Sequence, residues 1–376
     1  MRILDRYLLR QFGRVFLICF LSLTGLFAVF DAFSNLDEFL NYAEKHGSVL
    51  GILAQYYGYR SVALFDRLSG VLALTAAMFT VTFFQRFNEY TAVSAAGIRP
   101  ARIIAPLLYA CLAISLVAAG SRELFIPHIR NEFSRSAKDL EGDNAQDLKP
   151  RYDHATDILI RGRMTFANER RIHEPDLLLP PSLDDYGRKL HAQDAFYKPP
   201  EGDRPGGYLL TNVEVPTNLA ERESLRLRGE EVILMPRDHK WLEPNQCFVK
   251  SDVNFEQLTG GQSWRQFSST AVLIRGLRNP SLDFGADVRV TIHSRFVRPL
   301  LDMTLLFLGL PLILRGRHNI FISIGLCILV TSGFMLVVFG AQYLGAAYLI
   351  TPALACWLPL MIFVPAALVI AEPLLV

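Results

Sequence analysis

One acidic side chain in a run of small ones is the strongest sign of a working surface in this sequence. Residues 85–100 read Gln85-Arg86-Phe87-Asn88-Glu89-Tyr90-Thr91-Ala92-Val93-Ser94-Ala95-Ala96-Gly97-Ile98-Arg99-Pro100. Asn88 stands where a helix N-cap would, Glu89 falls in the first turn where the helix dipole favours an anion, and Gly97 supplies a stop. The helix between them is expected to be short and surfaced by Ala92, Ser94, Ala95 and Ala96. Small side chains let a partner's groove come close to the backbone, and Glu89 adds one directional charge. Those properties suit a helix that docks into a motor protein; the same residues also suit a link that merely reverses the chain.

Conventional catalytic chemistry is not indicated. The chain contains no G-x-x-x-x-G-K-[ST], no H-E-x-x-H and no G-x-S-x-G run. His173 and His191 read as solvated surface histidines. Cys19, Cys111, Cys327 and Cys356 lie in apolar blocks and Cys247 stands apart, with no C-x-x-C pair to suggest a disulfide framework or a thiolate metal site. Neither a cofactor nor a metal ligand set is expected, and a net charge of +2 gives no reason to invoke nucleic acid.

The elements that must hold Glu89 are apolar. Blocks with little or no charge run Val15–Phe30, Leu68–Gln85, Ile103–Ser121 and Met303–Leu314, and Asn319–Ala371 is long enough to cross a bilayer twice. A membrane-spanning helix needs roughly 20 mostly apolar residues, so the chain is expected to make six spans, three on each side of a polar insert at about Arg122–Ser294. A hydrophobic content of 51% agrees with such a mixture. Val15–Phe30, with no small-residue cleavage pattern, reads as a retained first span and not as a signal peptide. Arg2, Arg6, Arg10 and Arg14 precede it, Arg86, Arg99 and Arg102 fill the link between spans two and three, and Arg315, Arg317 and His318 fill the link between spans four and five. With six spans all three basic positions fall on one side, which places both termini in the cytoplasm and the insert in the periplasm.

Within this frame the expected units are 1–121 (spans one to three, with the docking helix at 86–97), 122–294 (the insert) and 295–376 (spans four to six). The first helix is expected to project past the bilayer to Gly47, span two to follow from about Ala63, span three to continue through Phe133 and stop before Gly142 with a kink at Pro127, and span four to start near Phe296. Gly325, Gly333 and Gly340 make span five suited to close packing or bending. In the insert, Ile158 with Ile160, Leu190–Tyr197, Gly207–Val215, Val232–Met235 and Gln246–Phe255 alternate or are rich in β-formers, separated by turn signals such as Gly206-Gly207 and Gly260-Gly261. They predict an antiparallel β-domain over about residues 150–260, with one face or edge open.

Asn88–Ile98 resembles the E-x-x-A-x-x-A-x-G signature of the lipopolysaccharide export permeases, the LptF/LptG family. Leu4-Asp5-Arg6-Tyr7-Leu8-Leu9-Arg10 is similar to that family's opening helix, and Arg298-Pro299-Leu300 with Gly309-Leu310-Pro311-Leu312 to its fourth span; the insert is alike in architecture alone. The resemblance implies a multi-pass permease of the inner membrane with a jelly-roll-like periplasmic domain. It would pair with a second permease, dock a cytoplasmic ABC ATPase dimer that binds the ATP, and pass lipopolysaccharide to periplasmic jelly-roll bridge proteins of LptC/LptA type. Its docking surface would be Glu89, Ala92, Val93, Ala96 and Gly97.

One branch of that family carries a basic residue in the outer part of span one to meet lipid phosphates. Here Gly25–Asp37 has no Lys or Arg, so this chain either supplies no such contact or meets phosphate through Arg60, Arg67, Arg295 or Arg298. Charges at that depth must be paired or face a wet cavity. Asp66 could instead neutralise Arg67, and Asp302 could neutralise Arg298 across one turn. Reversal of Arg298 to Glu is expected to abolish export with assembly intact. A permease that transmits force to a periplasmic partner without moving lipid is the alternative function, disfavoured because such proteins usually have four spans with the large domain between the first two. A membrane-anchored enzyme would need a catalytic cluster in the insert, and none is visible.

Overall fold

The computed structural model describes residues 3–129, 146–202, 204–259, 265–279, 281–282, 285–315 and 320–375. It divides into two compact units, 1–132 with 285–376, and 133–284.

The first unit is helical. Helix α1 (Ile3–Ser34) breaks at Asn35 and resumes as α2 (Leu36–His46); α3 (Val49–Arg86) is one uninterrupted helix. At 1.5 Å per residue α3 is about 57 Å long, well beyond the hydrocarbon core. Its polar, tyrosine-rich start therefore belongs to the same rod as the second span. Seven-residue α4 (Glu89–Ala95) leads to α5 (Pro100–Gly120). A π turn, Ser121–Phe125, and a last helical turn, Ile126–His128, extend α5. Pro127 has no N–H for the carbonyl of Glu123 and its ring crowds that carbonyl. The helix answers by widening its ladder ahead of the proline. The expected end of this helix near Gly142 lies outside the described residues.

Among the described residues six helices of this unit are long and apolar enough to cross a membrane. The last three are α8 (Ala286–Arg315), α9 (Ile320–Ala346) and α10 (Pro352–Leu375); α6 (Phe255–Thr259) and α7 (Thr270–Leu277) belong to the other unit. Helix α8 starts ten residues before Phe296, because Arg289, His293 and Arg295 lie on a helix that continues beyond the apolar stretch. The core is a seam in which Ala73, Ala76 and Ala77 of α3 let Leu107 of α5 and Leu301, Leu305 and Leu308 of α8 approach closely. By contrast, only 6% of the apolar window of α1 is buried within the chain. Among the described residues a Cβ added at Gly325, Gly333 or Gly340 would meet nothing within 4 Å, so these glycines are not sites of close packing there.

The second unit is an all-antiparallel sheet of eleven strands. Its trunk pairs β7 (Lys189–Lys198), β8 (Gly207–Val215), β11 (Gln246–Lys250), β10 (Glu230–Leu234) and β9 (Leu225–Leu227) in that order. On its other side β7 takes two partners in succession. Its first half pairs with β6 (Asp176–Leu178), which continues to β3 (Ile158–Arg161) and β2 (Arg151–Asp153); its second half pairs with β5 (Arg171–His173), which continues to β4 (Met164–Phe166) and β1 (Gln146–Asp147). The strand bends between β5 and β6 at Glu174, whose φ is 48°. There the buried positions of β7 step from Leu190 and Ala192 to Ala195, changing the strict alternation of an unbent strand. Ile158, Ile160, Ile172, Leu177, Leu190, Leu210, Ile233, Cys247 and Val249 fill the core. Short helices α6 (Phe255–Thr259) and α7 (Thr270–Leu277) complete the unit.

Candidate functional site

Glu89 opens α4, and the chain enters that helix by a sharp reversal. Asn88 has φ 58°, a left-handed conformation that Asn tolerates better than most residues. Its side chain makes no cap bond, so Asn88 serves through its backbone and not as the expected side-chain N-cap. The exit is a Schellman turn. Ile98 N donates to the Val93 carbonyl at 3.3 Å and Gly97 N to that of Ser94 at 3.0 Å, with Gly97 at φ 74°.

The two faces of α4 differ. Tyr90 and Val93 pack on a small cluster of Leu8, Phe84 and Ile103, with Leu4 at its edge. Ala92, Ser94, Ala95, Ala96 and Gly97 are exposed. Of the five residues expected to meet a partner, Ala92, Ala96 and Gly97 face outward, Glu89 is half-buried, and Val93 is turned toward its own protein. Tyr7 Oη donates to Glu89 Oε1 at 3.0 Å, and Asp5 pairs with Arg102 at 2.9 Å.

A second polar cluster lies where α3, the end of α5 and α8 meet. Asp66 accepts from Arg122 Nη2 at 2.6 Å and Nε at 2.9 Å, a bidentate pair with both side chains largely buried. Arg298 Nη2 donates to the main-chain carbonyls of Asp66 and Arg67 at 2.8 and 2.5 Å. One turn on, Asp302 accepts from Ser115 Oγ at 2.8 Å and presses against Gly70, where an added Cβ would collide with its carboxylate. Arg295 pairs with Glu123 at 3.5 Å. The π turn aims Arg122 and Glu123 at their partners on α3 and α8.

The four arginines proposed for phosphate therefore divide. Arg298 and Arg295 are engaged within the protein, and Arg60 stacks on the ring of Tyr56 at 4.5 Å. The Arg67 side chain is exposed and has no ion-pair partner among the described residues. The pairings Asp66–Arg67 and Asp302–Arg298 give way to Asp66–Arg122 and Asp302–Ser115. Arg298 thus joins α8 to α3 through two main-chain carbonyls. The Asp66–Arg122 pair escaped sequence reasoning because its partners are 56 residues apart; the usable sign was an ionisable residue close to each apolar block.

In the sheet unit Cys247 is buried and its thiol is pushed up to about 12 by that burial, so it stays protonated and unreactive near neutral pH. Among the described residues no group of His, Cys, Asp and Glu is arranged to hold a metal ion.

Among the described residues the helical unit has six helices long and apolar enough to cross a membrane, with the short α4 between the second and third, and the chain carries an antiparallel β-unit beside it in sequence, an organisation that suits a membrane protein with one large extramembrane insert. The model of the family described as lipopolysaccharide export system permease LptF/LptG matches residues 6–162 and 229–372, which is most of the chain, and the chain belongs to that family. No individually curated protein matches it. By family it is a lipopolysaccharide export permease, a transporter subunit and not an enzyme, and its six apolar helices suit a multi-pass protein of the inner membrane. The unmatched stretch, 163–228, holds β4 to β9.

Proposed function

We propose that this chain is one of two permeases in an ABC-type machine that lifts lipopolysaccharide from the inner membrane and hands it to periplasmic bridge proteins. Both termini lie in the cytoplasm and the sheet unit in the periplasm. A cytoplasmic ATPase dimer hydrolyses the ATP and grips α4 through Glu89, Ala92, Ala96 and Gly97, while Val93 anchors the helix from behind. The observation that carries this reading is the two-faced build of α4: an outward surface of alanines with a single carboxylate at its start, on a helix fixed at both ends. Lipid phosphate is met first by Arg67, an exposed cation within the rod of α3, with Arg60 about two turns away.

Co-purification tests the docking. Glu89→Ala and Ala92→Leu should both lose the ATPase while the companion permease stays bound; retention of the ATPase in either would overturn the docking reading. For the lipid path, Arg67→Glu should lower export with thermal stability unchanged, and unaltered export would clear Arg67 of any role. The force-transmitting alternative predicts that lipopolysaccharide never cross-links to the helical unit. A photoreactive group at position 67 decides between the two.

A further inference from the structure

The docking helix is joined to its neighbours in two different ways. Helices α3 and α5 continue from α4 through residues 87–88 and 96–99, so they are tied to it covalently. Helix α1 is distant in sequence and meets α4 through side chains. Leu4 and Leu8 pack in the cluster that holds Tyr90 and Val93, with Leu8 only 1% exposed. Asp5 reaches past α4 to Arg102 at the start of α5. The directional link is the hydrogen bond from Tyr7 Oη to Glu89 Oε1, which spans 82 positions of sequence. Beyond this corner α1 runs along α3, through Phe16 and Phe20 on Phe65 and through Asp31, which accepts from Tyr57, and only 6% of its apolar window is buried.

We infer that the first turns of α1 are the element α4 drives, and that Tyr7 is the positioning residue that makes the two move together. The inference rests on the docking reading above and goes beyond it by naming the receiver of the motion. The chemistry allows both contacts at once: Tyr7 occupies Oε1 of the carboxylate and leaves Oε2 for a cation on the docked partner. A carboxylate held on one side by a phenol is fixed in direction, so a push on Glu89 is delivered to α1 and not absorbed by rotation of a free side chain. Removing the phenolic O–H should therefore leave docking in place and loosen the connection between hydrolysis and movement of lipid.

The test uses the full complex of this chain, its companion permease and the ATPase in proteoliposomes containing lipopolysaccharide. Tyr7→Phe should keep the ATPase bound, with hydrolysis within about twofold of wild type, while lipid extracted per ATP falls roughly three- to tenfold, the scale of a single solvent-exposed hydrogen bond. Unchanged extraction per ATP in Tyr7→Phe overturns the inference. Hydrogen exchange in the wild-type complex gives a second measurement that does not depend on the variant folding. Between the nucleotide-free and vanadate-trapped states, protection of residues 3–12 should change together with that of residues 89–95; a change confined to 89–95 overturns the inference as well. Glu89→Ala separates the two levels. If it still captures the ATPase, the docking reading fails; if capture is lost while Tyr7→Phe stays fully coupled, docking stands and α1 is not the receiver.

Discussion

The two polar clusters of the helical unit use the same residue types under opposite conditions. Near α4, Asp5–Arg102 and Tyr7–Glu89 sit half in water, with the Arg102 side chain 40% exposed. At the junction of α3, α5 and α8, Arg122 is 8% and Asp66 13% exposed, and each polar atom must find its partner inside the protein. A charge in the first setting remains available to another molecule because water already solvates it. A charge in the second is committed, because leaving it unpaired costs several kcal/mol. Surface arginines and aspartates can thus serve a partner, whereas buried ones hold helices together.

The largest expected effect that tests this contrast is Arg122→Ala. It strands Asp66 among apolar side chains and should cost about 3–5 kcal/mol, read as a fall in melting temperature of the detergent-solubilised complex or a failure to assemble. A loss no larger than that of a surface variant would erase the distinction. Arg298→Ala should follow, at about 1.5–3 kcal/mol, since it removes charged hydrogen bonds to two carbonyls of α3. Thermal unfolding measures it, and loss of export at full stability would return Arg298 to the lipid path. Asp5→Asn is expected to cost about 0.2–1 kcal/mol, less as salt rises, because the pair it breaks is partly solvated.

The smallest effect falls on the sheet unit. Arg226 and then His239 donate to the Glu231 carboxylate and hold its pKa below the ordinary glutamate range. A carboxyl that is more acidic folded than unfolded adds stability above its unfolded pKa, about 4.3, and loses that stability as pH falls through the folded value. Glu231→Gln should therefore flatten the decline in stability of the sheet on acidification below about pH 4.3, followed by circular dichroism. An acid limb as steep as wild type would show that the bonds to Arg226 and His239 add nothing.

What could be read in advance depended on whether the signal was local. The apolar blocks and Glu89 with its alanines are patterns within one helix, and they led to the six spans and to α4. The alternation of Ile158 with Ile160 likewise marked β3. The expected docking set on α4 included the inward-turned Val93, because Ala92 and Val93 are adjacent in sequence but about 100° apart around the helix, which periodicity over seven residues does not resolve. Asn88 does stand at the N-cap, but the residue type suits both a side-chain cap and a left-handed turn, and only the backbone shows that it serves as the second. The start of α8 was placed too late because a helix does not end where its apolar residues do. Least legible were the long-range partners, Arg122 for Asp66, Ser115 for Asp302 and Tyr7 for Glu89. Each depends on how helices far apart in the chain come to lie side by side, and no spacing rule reports that.

The widened turn at Ser121–Phe125 also bears on how this helix tolerates change. A stretch that closes five residues where an α-helix would close four already contains one residue in excess, and it keeps the turn beyond it in phase with the helix below. Losing a single residue there should tighten the turn and leave the following segment facing nearly the same way. The same deletion near Leu107 would swing everything downstream by about 100°. Related chains that are one residue shorter in this helix should therefore have their gap between 121 and 125.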